Sequence, residues 1–339
     1  MRIASVEVTE VVEHGQRANL LVVRSESGLH GVSEIATGSI EYAERSAGAL
    51  VDLLVGRDAF AVEALLMETA RAGISVDPTL VAAATAAMLD LAARSLDVPI
   101  HQLLGGRVRD EVRVCAVDWG EGVRADEDVV AAARRAVTVG HTALRVDPVV
   151  DAGRSRDVET ASRRIGAIRE AVPDEVDLVV VAPRDLDLAA AIEFAGAIDQ
   201  LEPMWLEAPV PTVPLARLEH VAERVTVPLA AGRGLRPDVL RDMIRSNLVD
   251  HVVLEVDRVG GLLEARKIAA LAEIYHVGVI PAASGGSISL NVALQLAAVV
   301  PNLSIAEVPM GSTDVQGGTI MVDRRPGGAT PLTPAEATA

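Results

Sequence analysis

The sequence is poor in cysteine, lysine and aromatic residues, and each shortage narrows what the chain can be. Cys115 is the only cysteine in 339 residues, which excludes an internal disulfide and a cysteine-rich zinc site. Lys267 is the only lysine, and it falls in a segment with helical periodicity rather than at the end of a strand. With only 2 Trp, 2 Tyr and 2 Phe, the hydrophobic core must be built from aliphatic side chains.

Basic residues are also too few to balance the acidic ones. The 31 Lys and Arg residues face 48 Asp and Glu residues, which gives a formal net charge of -17. Proteins that bind phosphate backbones or anionic membrane surfaces need clustered positive charge, so we expect no nucleic-acid partner and no membrane partner. No uncharged apolar run approaches membrane-spanning length, and the first residues are unlike a signal peptide. We expect a cytoplasmic protein whose partners are small molecules or other proteins.

The chain contains two long regions with different sequence patterns, followed by a short tail. Residues 1–110 combine three strand-like runs with predicted helices over 40–55, 61–71 and 78–96, which indicates an α+β domain. Residues 111–308 alternate short β-branched runs with longer segments, six of which carry helical periodicity: DEDVVAAARRAV, RDVETASRRIGAIREAV, LDLAAAIEFAGAI, RPDVLRDMIRSN, GLLEARKIAALAEIY and SISLNVALQLAAVV. Residues 309–339 hold one weak strand, TIMV, and a tail rich in Gly and Pro that we expect to return to the first domain.

The alternating region predicts an α/β fold of the TIM type, a (β/α)8 barrel. Its strand-like runs number eight, begin roughly 23 to 34 residues apart, and read VRVCAV, TALRV, VDLVVVA, MWLE, VPLAA, HVVLEV, VGVI and LSIA. That spacing is expected when one helix returns the chain between parallel strands, and eight such units close a barrel.

Function in such a barrel belongs to the carboxyl ends of the strands. In chain order, the residues at or just beyond these ends are Cys115 and Asp118, Arg145 and Asp147, Val181, Pro183 and Arg184, Glu207, Arg233, Glu255 and Asp257, Ala282 to Ser284, and Glu307. None of the 7 histidines lies at such an end, so histidine-base chemistry is disfavoured.

Several short sequence segments resemble those of one known protein family. They are VPIHQLLGGRVRDEVRV, GHTALRVDP, MWLEAPV, VPLAAGRGL, DRVGGLLEARKIAALAE and PNLSIAEVP, and the match runs from Ile3 to beyond Glu307. In order and spacing they resemble the mandelate racemase and muconate-lactonizing branch of the enolase superfamily, in particular acid-sugar dehydratases. The resemblance implies a modified enolase-type barrel under a capping domain, a homo-oligomer, and Mg²⁺-assisted removal of a proton α to a substrate carboxylate.

The metal ligands implied by the resemblance are mostly replaced. Val181 stands where the first metal Asp is expected, and Arg233 stands where the third, a Glu, is expected. Only Glu207 retains a ligand, although the acidic residue after it is replaced by Ala208. We therefore predict no metal cofactor.

The proton-transfer groups implied by the resemblance are replaced as well. A Lys-x-Lys motif is expected at the second strand, but Arg145 and Asp147 occupy it, and Arg is too basic to accept a proton near neutral pH. The Asp-His dyad expected on the sixth and seventh strands maps onto Glu255 and Ala282.

Glu207, Glu255 and Glu307 should converge in a mouth of low dielectric, where unpaired carboxylates are costly. We predict that Arg233 pairs with Glu207 or Glu255 and occupies the place of the ion, where its charge repels Mg²⁺.

Four readings remain open at this point. The chain could be a barrel that has lost the reaction, holds a structural ion-pair network, and binds a small carboxylate or hydroxy acid through Arg145, Arg184, Glu207 and Arg233. It could be a metal-independent isomerase or lyase in which an Arg binds the substrate carboxylate and Glu255, Asp147 or Glu307 serves in catalysis. It could be a metal enzyme with reassigned ligands, namely Glu207, Asp147 and Glu255. It could also be a structural or regulatory subunit.

Three lesser features complete the set of candidates. Cys115 is interpreted as a small core residue rather than a nucleophile, because no histidine is available to activate it. The glycine turns at 260–261 and 284–287 are read as helix entries, with anion binding as the alternative. The capping loops around 13–18 and 35–42, with His14 and Tyr42, are candidates for substrate selection.

Overall fold

The computed structural model describes residues 1–13, 16–36, 40–71, 77–120, 126–148, 158–311 and 315–328. His14, the centre of the second capping loop at 37–39, and the end of the tail lie outside the described residues.

The first part of the chain is an antiparallel sheet packed on helices. Strands β1 (Ile3–Glu13), β2 (Gln16–Ser25) and β3 (His30–Ile35) pair in the order β1-β2-β3. Helices α1 (Ile40–Leu54), α2 (Val62–Arg71), α3 (Pro78–Ser95) and the single turn α4 (Ile100–Leu103) follow. We call β1–β3 with α1–α4 the capping domain.

Helix α3 lies at the centre of the capping domain. Its start is fixed by Asp77, whose side chain accepts a hydrogen bond from Thr79 N, and by Pro78 in the first turn. Almost every residue from Leu80 to Ala93 is buried, because the helix packs against the sheet on one side and the barrel on the other. Asp90, only 1% exposed, accepts hydrogen bonds from Val32 N, Gly328 N and Arg94 Nε.

Eight parallel strands form the barrel, in the order β4 to β11. They are β4 (Glu111–Val117), β5 (Ala143–Val146), β6 (Asp177–Val181), β7 (Trp205–Glu207), β8 (Leu229–Ala231), β9 (His251–Glu255), β10 (Gly278–Ala282) and β11 (Ala306–Pro309). β11 pairs with β4 in parallel, and hydrogen bonds from Val279 N to Asn302 O and from Ser304 N to Val279 O bring β10 against the segment entering β11. The predicted barrel is confirmed.

Helices return the chain between the strands. They are α5 (Asp126–Thr138), α6 (Val158–Ala171), α7 (Leu188–Asp199), α8 (Leu215–Ala222), α9 (Pro237–Arg245), α10 (Leu262–Ile274) and α11 (Ser287–Val299). The sequence patterns did not indicate α8, and they placed the last strand at 303–306, where the structure has Leu303 in an isolated bridge and the strand starting at Ala306.

The barrel interior is filled by small side chains around one large one. Trp205 is 1% exposed and shares the interior with Cys115, Ala143, Val179, Ala230, Val253, Ile280, Ala282 and Ile305. Its ring lies 4.6 Å from the ring of His251, centroid to centroid. The indole ring of Trp205 therefore fills a volume of the barrel interior that the smaller side chains around it leave empty.

The C-terminal segment touches both the barrel and the capping domain. Strand β12 (Thr319–Met321) pairs antiparallel with the start of β4, while Gly327 bridges Pro99 and Gly328 N donates to Asp90. Lys267 of α10 links the two parts elsewhere, because its Nζ lies 2.8 Å from Glu63 Oε2 in α2 and 2.7 Å from Glu264 Oε1. None of the described helices is long and apolar enough to cross a membrane.

Candidate functional site at the carboxyl ends of the barrel strands

Five of the charged residues predicted at the strand ends converge inside the mouth of the barrel. Side chains alternate along a strand, so a residue two positions beyond an interior side chain also faces inward. Arg145 follows Ala143 in this way, Glu207 follows Trp205, Glu255 follows Val253, and Glu307 follows Ile305. Arg233 lies two residues beyond the end of β8.

Arg233 joins all three glutamates. Its Nε lies 3.1 Å from Glu207 Oε1 and its Nη1 lies 3.4 Å from Glu255 Oε1. Its Nη2 lies 2.7 and 2.8 Å from the two carboxylate oxygens of Glu307. Both pairings predicted for Arg233 are confirmed, and the structure adds the pair with Glu307.

Arg145 contributes a second guanidinium beside the first. Its Nε lies 2.9 Å from Glu207 Oε2 and its Nη2 lies 3.0 Å from Glu207 Oε1, a bidentate pair. The same Nε is 3.4 Å from Glu307 Oε1. Trp119 Nε1 donates to the carbonyl oxygen of Arg145 at 2.9 Å and so supports the end of β5. We call Arg145, Glu207, Arg233, Glu255 and Glu307 the mouth cluster.

The mouth cluster is buried and holds two guanidiniums against three carboxylates. Glu207 is 2% exposed and Glu307 is 7% exposed. Burial alone would raise the pKa of Glu207, but the hydrogen bonds and charges of Arg145 and Arg233 outweigh it and lower that pKa. Burial raises the pKa of Glu307, and the charge of Glu207 reinforces the rise despite Arg233 and Arg145. Of Glu207 and Glu307, Glu307 is therefore the carboxylate that takes up a proton first.

Two comparisons by sequence profile cover most of the chain. Residues 3–105 match the mandelate racemase / muconate lactonizing enzyme N-terminal domain, and residues 128–330 match the enolase C-terminal domain-like family. The chain belongs to the mandelate racemase and muconate-lactonizing branch of the enolase superfamily. The family predicted from the strand-end phrases is confirmed.

Similar curated members of this superfamily are sugar-acid dehydratases. The chain is 29% identical over 259 residues to D-gluconate dehydratase of Thermoproteus tenax, a match that covers 74% of this chain and 52% of that enzyme. It is 27% identical over 310 residues to D-galactonate dehydratase of Verminephrobacter eiseniae, covering 89% and 80% of the two chains. The match spans about half the length of the Thermoproteus enzyme, and likewise 55% of D-xylonate dehydratase of Haloferax volcanii.

A solved structure of the same branch superposes on nearly the whole chain. The mandelate racemase/muconate lactonizing enzyme-like protein of Rubrobacter xylanophilus is 25% identical with a TM-score of 0.88, over 99% of this chain and 96% of that one. The mandelate racemase/muconate lactonizing enzyme of Jannaschia sp. CCS1, at 23% identity and TM-score 0.88, agrees in fold.

The donor set at the mouth does not fit the Mg²⁺ that the superfamily implies. Mg²⁺ needs oxygen ligands in near-octahedral geometry. Of the three expected positions, Val181 offers a hydrocarbon, Arg233 offers a cation, and Glu207 has both oxygens engaged by guanidinium groups. Within the described residues, no group of three or more His, Cys, Asp or Glu side chains is arranged to hold a metal ion.

Two predicted site residues lie outside the mouth cluster. Asp147 follows β5 directly and is exposed, and Arg184 is exposed in the turn after β6. In the part of the chain that the structure describes, no hydrogen bond or ion pair joins Arg184 to the cluster. Their roles in binding or catalysis stay predictions.

The remaining candidates are accounted for by the fold. Cys115 is 1% exposed, and burial followed by the charge of Glu307 raises the pKa of its thiol well above the usual value, which agrees with a core residue. Tyr42 donates its hydroxyl proton to Asp77 Oδ2 at 2.8 Å.

The glycine turn at 284–287 does bind carboxylates, but they come from the chain itself. Gly286 N donates to Glu34 Oε1 at 2.6 Å, and Gly285 N donates to Asp257 Oδ2 at 2.9 Å. Glu34 could not be predicted as a partner of this turn, because nothing in the sequence pairs β3 with a turn about 250 residues later. The only signal was the glycine turn at the start of a helix, which favours an anion.

Proposed function

We propose that this member of the superfamily no longer carries out Mg²⁺-dependent proton abstraction and binds a small acidic or hydroxy-acid ligand at the barrel mouth. One observation carries the proposal: the guanidinium of Arg233 donates to Glu207, Glu255 and Glu307 together.

Electrostatics supports the loss of the metal. A guanidinium about 4 Å from a carboxylate gains about 4 kcal/mol at an effective dielectric near 20, before desolvation. A divalent cation entering the cluster would have to displace Arg233 from three such partners or remain beside its charge. Either course disfavours Mg²⁺.

The unused donors of the two arginines support an acid ligand. Among the described residues, Nε and Nη2 of Arg145 donate to Glu207 while its Nη1 has no acceptor, so that Nη1 can donate to a ligand. The Arg233 side chain is 32% exposed and can be reached from the mouth. The similar dehydratases are named for sugar acids, whose carboxylate and hydroxyl groups suit guanidinium donors.

Binding measurements on the full chain test this proposal. Calorimetric titration with D-galactonate and D-gluconate should give saturable binding, and galactitol, which lacks the carboxylate, should bind at least tenfold more weakly. Arg145→Met should abolish the preference for the acid. Arg217→Met, on the exposed surface of α8, is the matched control and should leave it intact.

Titration with Mg²⁺ distinguishes the hypotheses without a metal from the hypothesis of a metal enzyme with reassigned ligands. We expect the melting temperature of the wild-type protein to be the same in millimolar Mg²⁺ as in the same concentration of another divalent salt that shares its anion and ionic strength. Mg²⁺-dependent dehydration of either sugar acid, or an ion bound to Glu207 in a crystal, would overturn the proposal.

A second candidate, metal-independent proton transfer, is favoured by the buried Glu307. Here Glu255 would take the α-proton while the C–H electron pair moves onto the substrate carboxylate, which the arginines hold. Glu307, with its raised pKa, would return a proton to the α-carbon as the electron pair moves back from the carboxylate, which completes an isomerisation. Deuterium incorporation at the α-carbon in D₂O that is lost in Glu255→Gln would support this candidate. If no sugar acid of a library incorporates deuterium, this candidate is wrong.

A structural or regulatory subunit is the outcome if no acid enters the mouth. The homo-oligomer and the cytoplasmic location expected from the sequence stay predictions, and native mass spectrometry of the purified chain tests the first.

A further inference from the structure

A small cavity lies where the capping domain meets the barrel, away from the mouth cluster. Its polar lining comes from Ser33 and Glu34 of β3, Asp257 after β9, and Ser289 of α11. The rest is apolar, formed by alanines of α3 with Val256, Leu262 and Val292, and by Gly261. The volume open to a water molecule is about 10 Å³, which is room for one.

Asp257 brings an unpaired oxygen to this cavity. Its Oδ2 accepts hydrogen bonds from Ser284 N at 2.8 Å, Ser284 Oγ at 3.1 Å and Gly285 N at 2.9 Å. Its Oδ1 is buried, the residue is only 9% exposed, and within the described part of the chain this oxygen has no hydrogen-bond partner. A carboxylate oxygen buried without a donor is costly, so a donor is expected beside it.

The other polar groups of the cavity make their hydrogen bonds elsewhere. The Ser33 hydroxyl donates to Ala83 O at 2.6 Å. Glu34 accepts from Gly286 N and Ser289 N, and the Ser289 side chain is hydrogen-bonded to Glu34 as well. A guest that donates two hydrogen bonds would satisfy Asp257 Oδ1 and leave its second hydrogen for an acceptor of the capping domain.

We propose that the cavity binds one water molecule, which donates to Asp257 Oδ1 and to Glu34 and so links the barrel to the capping domain. A cation fits less well, because most of the lining is hydrocarbon and cannot provide the six or more oxygens that hard cations take. In addition, Gly261 and Leu262 place the N-terminus of α10, the positive end of its dipole, at the cavity wall.

The site has a consequence for the mouth cluster. Asp257 lies two residues after Glu255 and holds the turn that follows β10, while Glu34 holds the N-terminus of α11. The bridging water therefore connects the capping domain to the turn that follows Glu255 at the end of β9. This inference does not depend on the proposed ligand.

A crystal structure of the full chain grown with rubidium chloride tests the proposal. We expect one density peak in the cavity, at hydrogen-bond distance from Asp257 Oδ1, without an anomalous signal at the rubidium edge. An anomalous peak would identify a cation and overturn the proposal, as would a cavity without density.

Asp257→Asn gives a second test. The three donors around Oδ2 would keep the amide oxygen on their side and turn the amide N–H groups towards the cavity. Water can accept from an N–H group, whereas a cation cannot bind one, so we expect the peak to persist in this variant. Loss of the peak in a folded Asp257→Asn protein contradicts the water assignment.

Discussion

Arg233 Nη2 lies within 2.8 Å of both carboxylate oxygens of Glu307, so that a loop after β8 is tied to β11 across the barrel mouth. These two strands are not neighbours in the barrel. The contact therefore restrains the distance across the mouth between the ends of β8 and β11, which no strand pairing joins directly.

Removing the charge of Arg233 should be far costlier than removing a surface arginine. Arg233→Met leaves Glu207, Glu255 and Glu307 buried without their shared partner, and loss of one member of a buried ion pair costs about 3 to 5 kcal/mol. Arg236→Met is the matched control, since the Arg236 side chain is 76% exposed. Urea unfolding should show the loss for Arg233→Met and a change within about 0.5 kcal/mol for the control. Equal losses in both would contradict a buried network.

The raised pKa of Glu307 should make stability depend on pH. A carboxyl group whose pKa is raised by folding contributes its stability fully below the ordinary value of 4.5, and that contribution is lost as pH rises through the folded value. The wild type should therefore lose stability relative to Glu307→Gln as pH increases above 4.5. Urea unfolding of both proteins across the acid-to-neutral range measures this, and parallel curves would refute it.

Asp90 should hold the C-terminal segment against the capping domain. Asp90→Ala removes the acceptor of Val32 N, Gly328 N and Arg94 Nε, and an orphaned buried donor costs about 1 to 3 kcal/mol. Hydrogen exchange should accelerate at the amides of Val32 and Gly328. Asp52→Ala, an exposed change on α1, is the control and should leave both amides protected.

Gly261 should resist replacement because α3 approaches it closely. Its φ is +99°, and an added Cβ would lie 2.2 Å from Thr85 Oγ1 and 3.2 Å from Ala82 Cα. Gly261→Ala should lower the melting temperature, and adding Thr85→Ala should recover only part of it. At Gly166, in α6, a Cβ meets nothing within 4 Å, so Gly166→Ala should stabilise the protein by about 0.5 to 1 kcal/mol. A stable Gly261→Ala protein would mean that α3 and α10 do not pack as described.

The barrel could be predicted from the sequence because its evidence is local and repeated. Each run of β-branched residues followed by a helical segment indicates one unit, and eight of them suffice for closure. Helix α8 was missed because its eight residues are short and flanked by prolines and β-branched residues typical of strands.

The mouth cluster could be predicted only in part. Position at a strand end predicted that Glu207, Glu255 and Glu307 converge and that Arg233 pairs with Glu207 or Glu255, since all strand ends meet at one face. The contact of Arg233 with Glu307 depends on side-chain reach across the barrel, which spacing along the chain does not encode. Arg184 follows a strand as predicted, but its side chain is exposed in the turn after β6 and does not join the mouth cluster.

Lys267 offers a chemical reporter of how the two domains separate. It is the chain's only lysine, and its Nζ contacts Glu63 of the capping domain and Glu264 of α10. Burial would lower the pKa of its ammonium group, but its hydrogen bonds to Glu264 and Glu63 outweigh that and raise it, which slows acylation. An amine-reactive dye should therefore label this side chain faster when the contact between α2 and α10 opens and Glu63 moves away.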